Sequence, residues 1–222
     1  MRNAIMIFLV CYLSFTSGCA TFRKAEQAAI LEMENKELQR KLKQLQQSKN
    51  EEVNRVLQEK EGQLQDLEMV KLALEEQLRK EIGEYKAKLQ MTERGLVITF
   101  LAEVFFDSGK DILREDGAVS LGKVAQVLNE NVPDSYISIE GHTDSDPIKY
   151  SDWKSNWELS SARALAVVHY LINHCKVKPN RLSGVGCGEY RPVVSNDTAA
   201  GKQQNRRVEI IILPAQVQKI KG

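Results

Sequence analysis

The stretch Tyr136-Ile-Ser-Ile-Glu-Gly-His-Thr-Asp, followed by a polar loop and then by Asn156-Trp-Glu-Leu-Ser-Ser-Ala-Arg-Ala, decides the fold of the C-terminal part of this chain. Its first residues alternate between polar and apolar, which predicts a half-buried strand. Gly141 ends the strand, so the residues after it leave the sheet where binding groups are often found. Ser155 and Glu158 form a capping-box pattern, which predicts that a helix begins there.

Two charged side chains in this stretch, Asp144 and Arg163, form a candidate binding pair. Asp144 lies just past the strand, and Arg163 lies off the apolar stripe of the helix. A carboxylate binds an ammonium and a guanidinium binds a carboxylate with its planar fork, so a cleft with both suits a zwitterion. The alternative is a structural ion pair between the two side chains. The spacing alone favours that alternative, because surface ion pairs are common.

Five motifs occur in a fixed order along the C-terminal part of the chain. They are Phe105-Phe-Asp-Ser-Gly-Lys, Gly141-His-Thr-Asp, Asn156-x-x-Leu-Ser-x-x-Arg-Ala, Arg181-Leu-Ser-Gly-Val-Gly-Cys-Gly-Glu-Tyr-Arg-Pro and Asn205-Arg-Arg-Val-Glu-Ile. In this combination they resemble the peptidoglycan-binding domain shared by OmpA, Pal and MotB. The resemblance implies an α+β fold, a βαβαββ sandwich, which agrees with the alternation of strand and helix patterns.

The resemblance also implies roles for individual residues. In the family, the Asp and the Arg grip the zwitterionic end of diaminopimelate in the peptidoglycan stem peptide, and these roles fall on Asp144 and Arg163. The supporting polar positions of the family fall on Thr143, Asn156 and Arg206. One departure is the loop 145–155, which is longer than in OmpA or Pal, is closer to the MotB branch, and could alter the rim of the cleft.

Residues 1–18 are predicted to form a lipoprotein signal peptide. Arg2 supplies a positive start, an apolar core runs from Ala4 to Phe15, and Thr16-Ser-Gly-Cys19 resembles a bacterial lipobox, although Leu is usual at the position of Thr16. The apolar core is shorter than the ~20 residues that span a bilayer. The resemblance implies lipidation of Cys19 and, with Ala20 next, an anchor in the outer membrane on its periplasmic side. The alternative is an uncleaved anchor helix that extends to Phe22.

Residues 19–94 are predicted to be the lipidated N-terminus and a coiled-coil spacer, and residues 95–222 the globular domain. Apolar residues recur at the three-four spacing of a coiled-coil seam. The pattern is interrupted near Lys49 and then resumes up to Tyr85. We therefore expect a homo-oligomer through this helix, with the number of chains left open; a single unpaired helix is the alternative. Gly95 is expected to end the helix and open the first strand, and residues 216–222 to form a polar tail.

Several other functions lack support in the sequence. The net charge of +1 argues against a nucleic-acid partner. No serine or cysteine has a histidine and an acid arranged for acyl transfer, so we expect no enzyme and no cofactor. The string His142, Asp144, Asp146 lacks further convergent ligands, so no metal is expected. Cys175 and Cys187 could form a disulfide or remain two buried thiols.

The sequence therefore predicts an outer-membrane lipoprotein that binds peptidoglycan non-covalently through diaminopimelate and tethers the membrane to the cell wall. A MotB-like stator subunit, which anchors an ion-driven motor to peptidoglycan, is the alternative. Such a subunit needs a membrane span with an ionisable residue, and the segment from Ala4 to Phe15 contains no acid.

Overall fold

A computed structural model describes the chain from Arg2 to Leu213 except Tyr85 and Tyr150, without the side chains of residues 2–22, 24 and 25. It divides into two compact units, Met1–Glu59 and Lys60–Gly222. The side chains of the predicted signal peptide and Cys19, the seam position Tyr85 and the predicted tail lie outside the described residues, so those predictions stay untested. Within the described part of the chain, no helix combines the length and the apolar character needed to cross a membrane.

The first unit is the N-terminal part of helix α1, which runs over Arg2–Gln77. Apolar side chains along it are exposed in the single chain; they include Leu31, Leu38, Leu42, Leu45, Val53 and Leu57. Ion pairs between residues four apart, such as Lys41 with Glu37 at 2.7 Å, support the helix. The side chains expected to form the first part of a coiled-coil seam are therefore open to a partner, and oligomerisation stays a prediction.

The second unit contains a five-stranded sheet with the order β1-β2-β5-β3-β4. The strands are β1 (Ala87–Thr92), β2 (Gly95–Leu101), β3 (Ile137–His142), β4 (Leu182–Gly186) and β5 (Arg207–Ile212). β3 and β4 are parallel, and the other neighbours are antiparallel. The helices are the end of α1, α2 (Arg79–Gly83), α3 (Ala102–Phe105), α4 (Glu115–Asn131), α5 (Asn156–Asn173) and α6 (Ala199–Asn205), with a 3₁₀ turn at Pro179–Arg181. The predicted α+β class is confirmed.

One face of the sheet forms the core with α1, α4 and α5. Alternate residues of β2, β3 and β5 point to it and are buried; they are Leu96, Ile98, Phe100, Ile137, Ile139, Val208, Ile210 and Ile212. Ser155 accepts a hydrogen bond from the backbone N–H of Glu158 at 3.3 Å, as the capping pattern predicts.

α5 lies unusually close to β3 and β4 because both strands carry glycine where it crosses them. A Cβ at Gly141 would be 2.1 Å from the Ser160 carbonyl oxygen, and a Cβ at Gly186 would be 2.0 Å from the Ser161 hydroxyl. These distances are well below van der Waals contact, so only glycine allows this approach. The two glycines thereby set how closely α5, which carries Arg163, approaches the sheet.

The segment between α1 and β2 differs from the prediction of a spacer helix that Gly95 ends. β1 occupies Ala87–Thr92 and pairs with β2 across a hairpin in which Thr92 is opposite Gly95. Gly95 has φ of 120° and completes this hairpin, so it does not end a helix. Exposed Lys88 and Gln90 alternate with inward Ala87 and Leu89, which is the period of a strand.

The C-terminal turns of α1 belong to the second unit, whereas the sequence analysis assigned them to the spacer. Leu67, Val70, Leu74 and Leu78 are buried in the core cluster of the sheet. An apolar stripe at three-four spacing suits a sheet as well as a partner helix, because both bury one side of the helix. From Leu67 onward, the predicted seam is therefore covered by the same chain.

Val70→Ala is expected to lower the free energy of unfolding by about 1.5–2.5 kcal/mol, because it removes two buried methyl groups and leaves a cavity. Leu72→Ala is the control on the same helix, since Leu72 is 66% exposed, and it should change stability by less than about 0.5 kcal/mol. Chemical denaturation of both variants measures the difference. Equal effects would contradict the packing of α1 on the sheet.

Candidate functional site

A cleft of about 670 Å³ opens where β3 ends beside α5. The strand end contributes Thr143 and Asp144, α5 contributes Asn156 and Arg163, and Arg206 closes one side. The loop 106–109, which follows α3, and residues 146–149 and 151 of the loop after Asp144 form further parts of the wall. We call this space the Asp144 cleft. The five residues that the sequence analysis selected therefore line a single cavity.

Asp144 is buried at the strand end, but its charge is paired. Its Oδ2 accepts a hydrogen bond from Arg206 Nη1 at 2.5 Å. Its Oδ1 accepts one from the backbone N–H of Asp146 at 3.1 Å. A carboxylate has about four lone-pair sites, so Asp144 keeps capacity for a further donor from a ligand.

Arg163 is 4% exposed and projects from α5 into the cleft. Its Nε donates to the Lys110 carbonyl at 2.9 Å, and its Nη2 donates to the Asp107 carbonyl at 3.1 Å. The guanidinium carbon lies 5.3 Å from the centre of the Phe106 ring. Burial, followed by the charge of Arg206, lowers the pKa of Arg163 to about 10, so the side chain is cationic at neutral pH.

The expected alternative, an ion pair between Asp144 and Arg163, does not form within the described residues: Asp144 pairs with Arg206. Arg163 instead binds backbone carbonyls, whose charges are only partial. The cleft therefore holds one anchored cation without a carboxylate partner. This arrangement leaves Arg163 able to bind an anionic group of a ligand.

Asn156 holds the loop after Asp144 in place, whereas Thr143 places an unpaired hydroxyl on the cleft wall. Asn156 Nδ2 donates to the Asp146 carbonyl at 3.0 Å and to Glu189 Oε2 at 2.7 Å. Asn156 therefore fixes the loop after Asp144. The Thr143 hydroxyl is buried and has no hydrogen-bond partner among the described residues, so it is a free polar atom on the cleft wall.

Arg206 is held in place from two directions. It follows α6 directly, and its carbonyl accepts a hydrogen bond from the Ala102 N–H at 2.8 Å. The preceding Asn205 is fully buried and binds the backbone of Val193 and Val194. The sequence analysis did not predict α6, although Thr198 caps it by accepting from Gly201 N–H at 3.0 Å. A Thr followed by helix-forming residues was the available signal.

The long loop 145–155 contacts the opposite wall of the cleft. Trp153 Nε1 donates to the Gly109 carbonyl at 2.9 Å, so the loop braces the segment that Arg163 also binds. Asp146 on the same loop pairs with Lys202 of α6 at 2.7 Å. The sequence analysis left the role of this loop open, and it missed these contacts because they join residues far apart in the chain.

Residues 105–206 match the model of the OmpA family. These residues form an OmpA-like domain.

Cys175 and Cys187, in the same OmpA-like domain, are both free thiols, so the disulfide left open by the sequence does not form.

Relatives of the OmpA-like domain include a motility protein and a probable lipoprotein by name. The chain is 41% identical over 150 residues to Motility protein B of Bacillus subtilis, with 68% of this chain and 57% of the relative covered. It is 38% identical over 119 residues to Probable lipoprotein YiaD of Escherichia coli, with 54% of this chain and 52% of the relative covered. The chain thus spans between about half and three-fifths of the length of these curated relatives.

Among solved structures, the cell wall anchor of the T6SS from Pseudomonas aeruginosa is similar, with a TM-score of 0.58 and 28% identity. The match covers 64% of this chain and 96% of that structure. The second unit therefore shares its fold with a protein described as a cell wall anchor. The shared fold covers more of the chain than residues 105–206, which match the family model.

Proposed function

We propose that the Asp144 cleft binds the zwitterionic end of diaminopimelate in the stem peptide of peptidoglycan. The observation that carries this proposal is the pair of fixed opposite charges in one cleft. Asp144 offers a carboxylate to an ammonium, and Arg163 offers a guanidinium without a carboxylate partner to a carboxylate. The free Thr143 hydroxyl supplies a third polar contact.

The description of one solved relative supports attachment to the cell wall. The solved Pseudomonas aeruginosa protein is described as a cell wall anchor, and its fold matches over most of its length. We infer that the OmpA-like domain is a binding module and not an enzyme. Incubation of the chain with purified peptidoglycan should deplete the protein from solution without release of muropeptides. Release of muropeptides would contradict a binding role.

We further propose that the chain is a lipoprotein of the outer membrane that tethers this membrane to the wall. The lipobox-like Thr16-Ser-Gly-Cys19 and the similarity to a probable lipoprotein support the proposal. The exposed apolar side chains of α1 support self-association of this helix between the anchor and the OmpA-like domain.

Cys19→Ser is expected to move the protein from the membrane fraction to the soluble fraction, because the acyl chains can no longer be attached. Fractionation of cells that express the variant, followed by immunoblotting, measures the shift. Cys11→Ser is the matched control, since it changes a cysteine that precedes the proposed lipobox. Retention of the Cys19→Ser protein in membranes would favour an uncleaved anchor helix.

A stator-like role is the second candidate, and one observation favours it: the identity to Motility protein B extends over 150 residues. Both candidates bind the wall through the same cleft, so they differ only in the N-terminal attachment. The fractionation experiment separates them, because a stator subunit keeps its membrane attachment without Cys19.

A further inference from the structure

A second cluster of ionisable side chains is buried on the sheet face opposite the helices. β3 contributes Glu140 and His142, β5 contributes Glu209, and Cys187 follows β4 directly. Glu140 and Glu209 are direct cross-strand neighbours. Like charges in this position destabilise a sheet unless other groups compensate them. We call these four residues the Glu–His–Cys cluster.

The donor atoms of the Glu–His–Cys cluster converge. The Oε1 atom of each glutamate accepts a hydrogen bond from an arginine. The Oε2 atoms face His142: its Nε2 lies 3.8 Å from Glu140 Oε2 and 4.0 Å from Glu209 Oε2. The Cys187 sulfur lies 4.0 Å from Glu140 Oε2. Donor atoms of Glu140, His142 and Cys187 all lie within 4.8 Å of one another.

His142 lacks any hydrogen bond that would explain its burial. It is 2% exposed, and neither ring nitrogen has a partner among the described residues. Buried polar atoms are normally satisfied, and a neutral imidazole nitrogen is a common metal ligand.

We propose that Glu140, His142 and Cys187, with Glu209 as the fourth ligand, bind one Zn²⁺ ion. Thiolate, imidazole and carboxylate are the three ligand types that zinc takes in proteins. Tetrahedral bonds of about 2.0–2.3 Å separate neighbouring ligand atoms by about 3.3–3.7 Å. Pairs of donor atoms in the cluster lie 3.8 and 4.0 Å apart, and those of Glu140, His142 and Cys187 lie within 4.8 Å of one another, so side-chain rotations would draw the ligands together around the ion.

The charges of the surroundings allow a divalent cation. The ion and the buried guanidinium of Arg207 together balance two carboxylates and one thiolate. Arg94 and Arg191, which also approach Glu140, have side chains 48% and 62% exposed. They can turn into water when the ion binds, so Arg207 is the one of these three arginines that stays buried beside it.

The sequence analysis expected no metal because it grouped His142 with Asp144 and Asp146. Both acids lie elsewhere: Asp144 pairs with Arg206 and Asp146 with Lys202. The missed ligands are Glu140, two residues upstream on the same face of β3, and Cys187, which β4 brings alongside. A zinc ion here would join β3, β5 and the end of β4 directly before Asp144, which would stiffen the base of the cleft.

The test uses the full chain in detergent, freed of metal by a chelator and then titrated with Zn²⁺ alone or Co²⁺ alone. We expect one ion per chain, a sulfur-to-metal charge-transfer band with Co²⁺, and a higher melting temperature with Zn²⁺. Cys187→Ser should weaken Zn²⁺ binding by more than about 100-fold. Cys175→Ser, which changes the other free thiol of the OmpA-like domain, should bind as the unchanged chain does.

A second measurement does not depend on a folded variant. Zn²⁺ should protect Cys187, but not Cys175, from alkylation in the unchanged chain, as peptide-resolved mass spectrometry can show. Absence of one-to-one Zn²⁺ binding, undiminished binding by Cys187→Ser, or equal alkylation of Cys187 with and without Zn²⁺ would each overturn the proposal.

Discussion

Asp144→Asn is expected to weaken binding of the chain to purified peptidoglycan by at least about 30-fold, because loss of one member of a buried charge pair costs about 2–5 kcal/mol. The asparagine has the same shape, but its single oxygen can replace only one of the two acceptors that Arg206 and the Asp146 N–H use in Asp144. It cannot neutralise a ligand ammonium. Co-sedimentation with wall fragments over a range of wall concentrations measures the affinity.

The control for this variant is Asp152→Asn, which makes the same charge change on the exposed part of the neighbouring loop. The affinity of Asp152→Asn for peptidoglycan should stay within about twofold of that of the unchanged chain. Binding by Asp144→Asn as strong as that of Asp152→Asn would contradict the proposed ligand site. Arg163→Lys adds a test of geometry, because lysine keeps the charge and loses the planar fork.

Gly141→Ala is expected to lower the free energy of unfolding by at least about 3 kcal/mol, the upper end of the cost of overpacking. The new Cβ would be 2.1 Å from the Ser160 carbonyl oxygen, which belongs to the backbone of α5. The helix must move away from β3, and Arg163 moves with it. Thermal denaturation should show a loss of about 6–12 °C in Tm, and binding to peptidoglycan should fall as well.

The matched variant is Gly122→Ala in α4, where a Cβ would meet no atom within 4 Å. This change should raise stability by about 0.4–1 kcal/mol, because alanine has less freedom in the unfolded chain and a better helix propensity. A Gly141→Ala protein as stable as Gly122→Ala would show that β3 and α5 are further apart than described here.

The sequence predicted the local elements of the OmpA-like domain better than the contacts between them. The alternation from Tyr136 and the Ser155 cap depend on neighbouring residues, so the presence of β3 and the start of α5 could be predicted directly. The prediction of a half-buried strand that Gly141 ends is wrong, because β3 runs through Gly141 to His142 and is buried along its whole length. The partner of Asp144 could not, because Arg206 is 62 positions away and only the crossing of β5 beside β3 brings it near.

The limits of the spacer could not be read from the sequence for a different physical reason. The apolar stripe that ends with Leu74 and Leu78 has the spacing of a coiled coil. The neighbouring residues do not distinguish whether a helix or a sheet packs against it. β1 is short, charged and at the sheet edge, so its residues resemble the end of the preceding helix.

The central place of β5 in the sheet has a consequence for how the protein is made. β5 is the last strand of the described chain, yet it lies between β2 and β3, which are separated from each other until it arrives. Until β5 is in place, β2 and β3 each present an unpaired backbone edge. Native folding therefore waits for the last strand, and a chain truncated before Arg207 is expected to aggregate through these open edges.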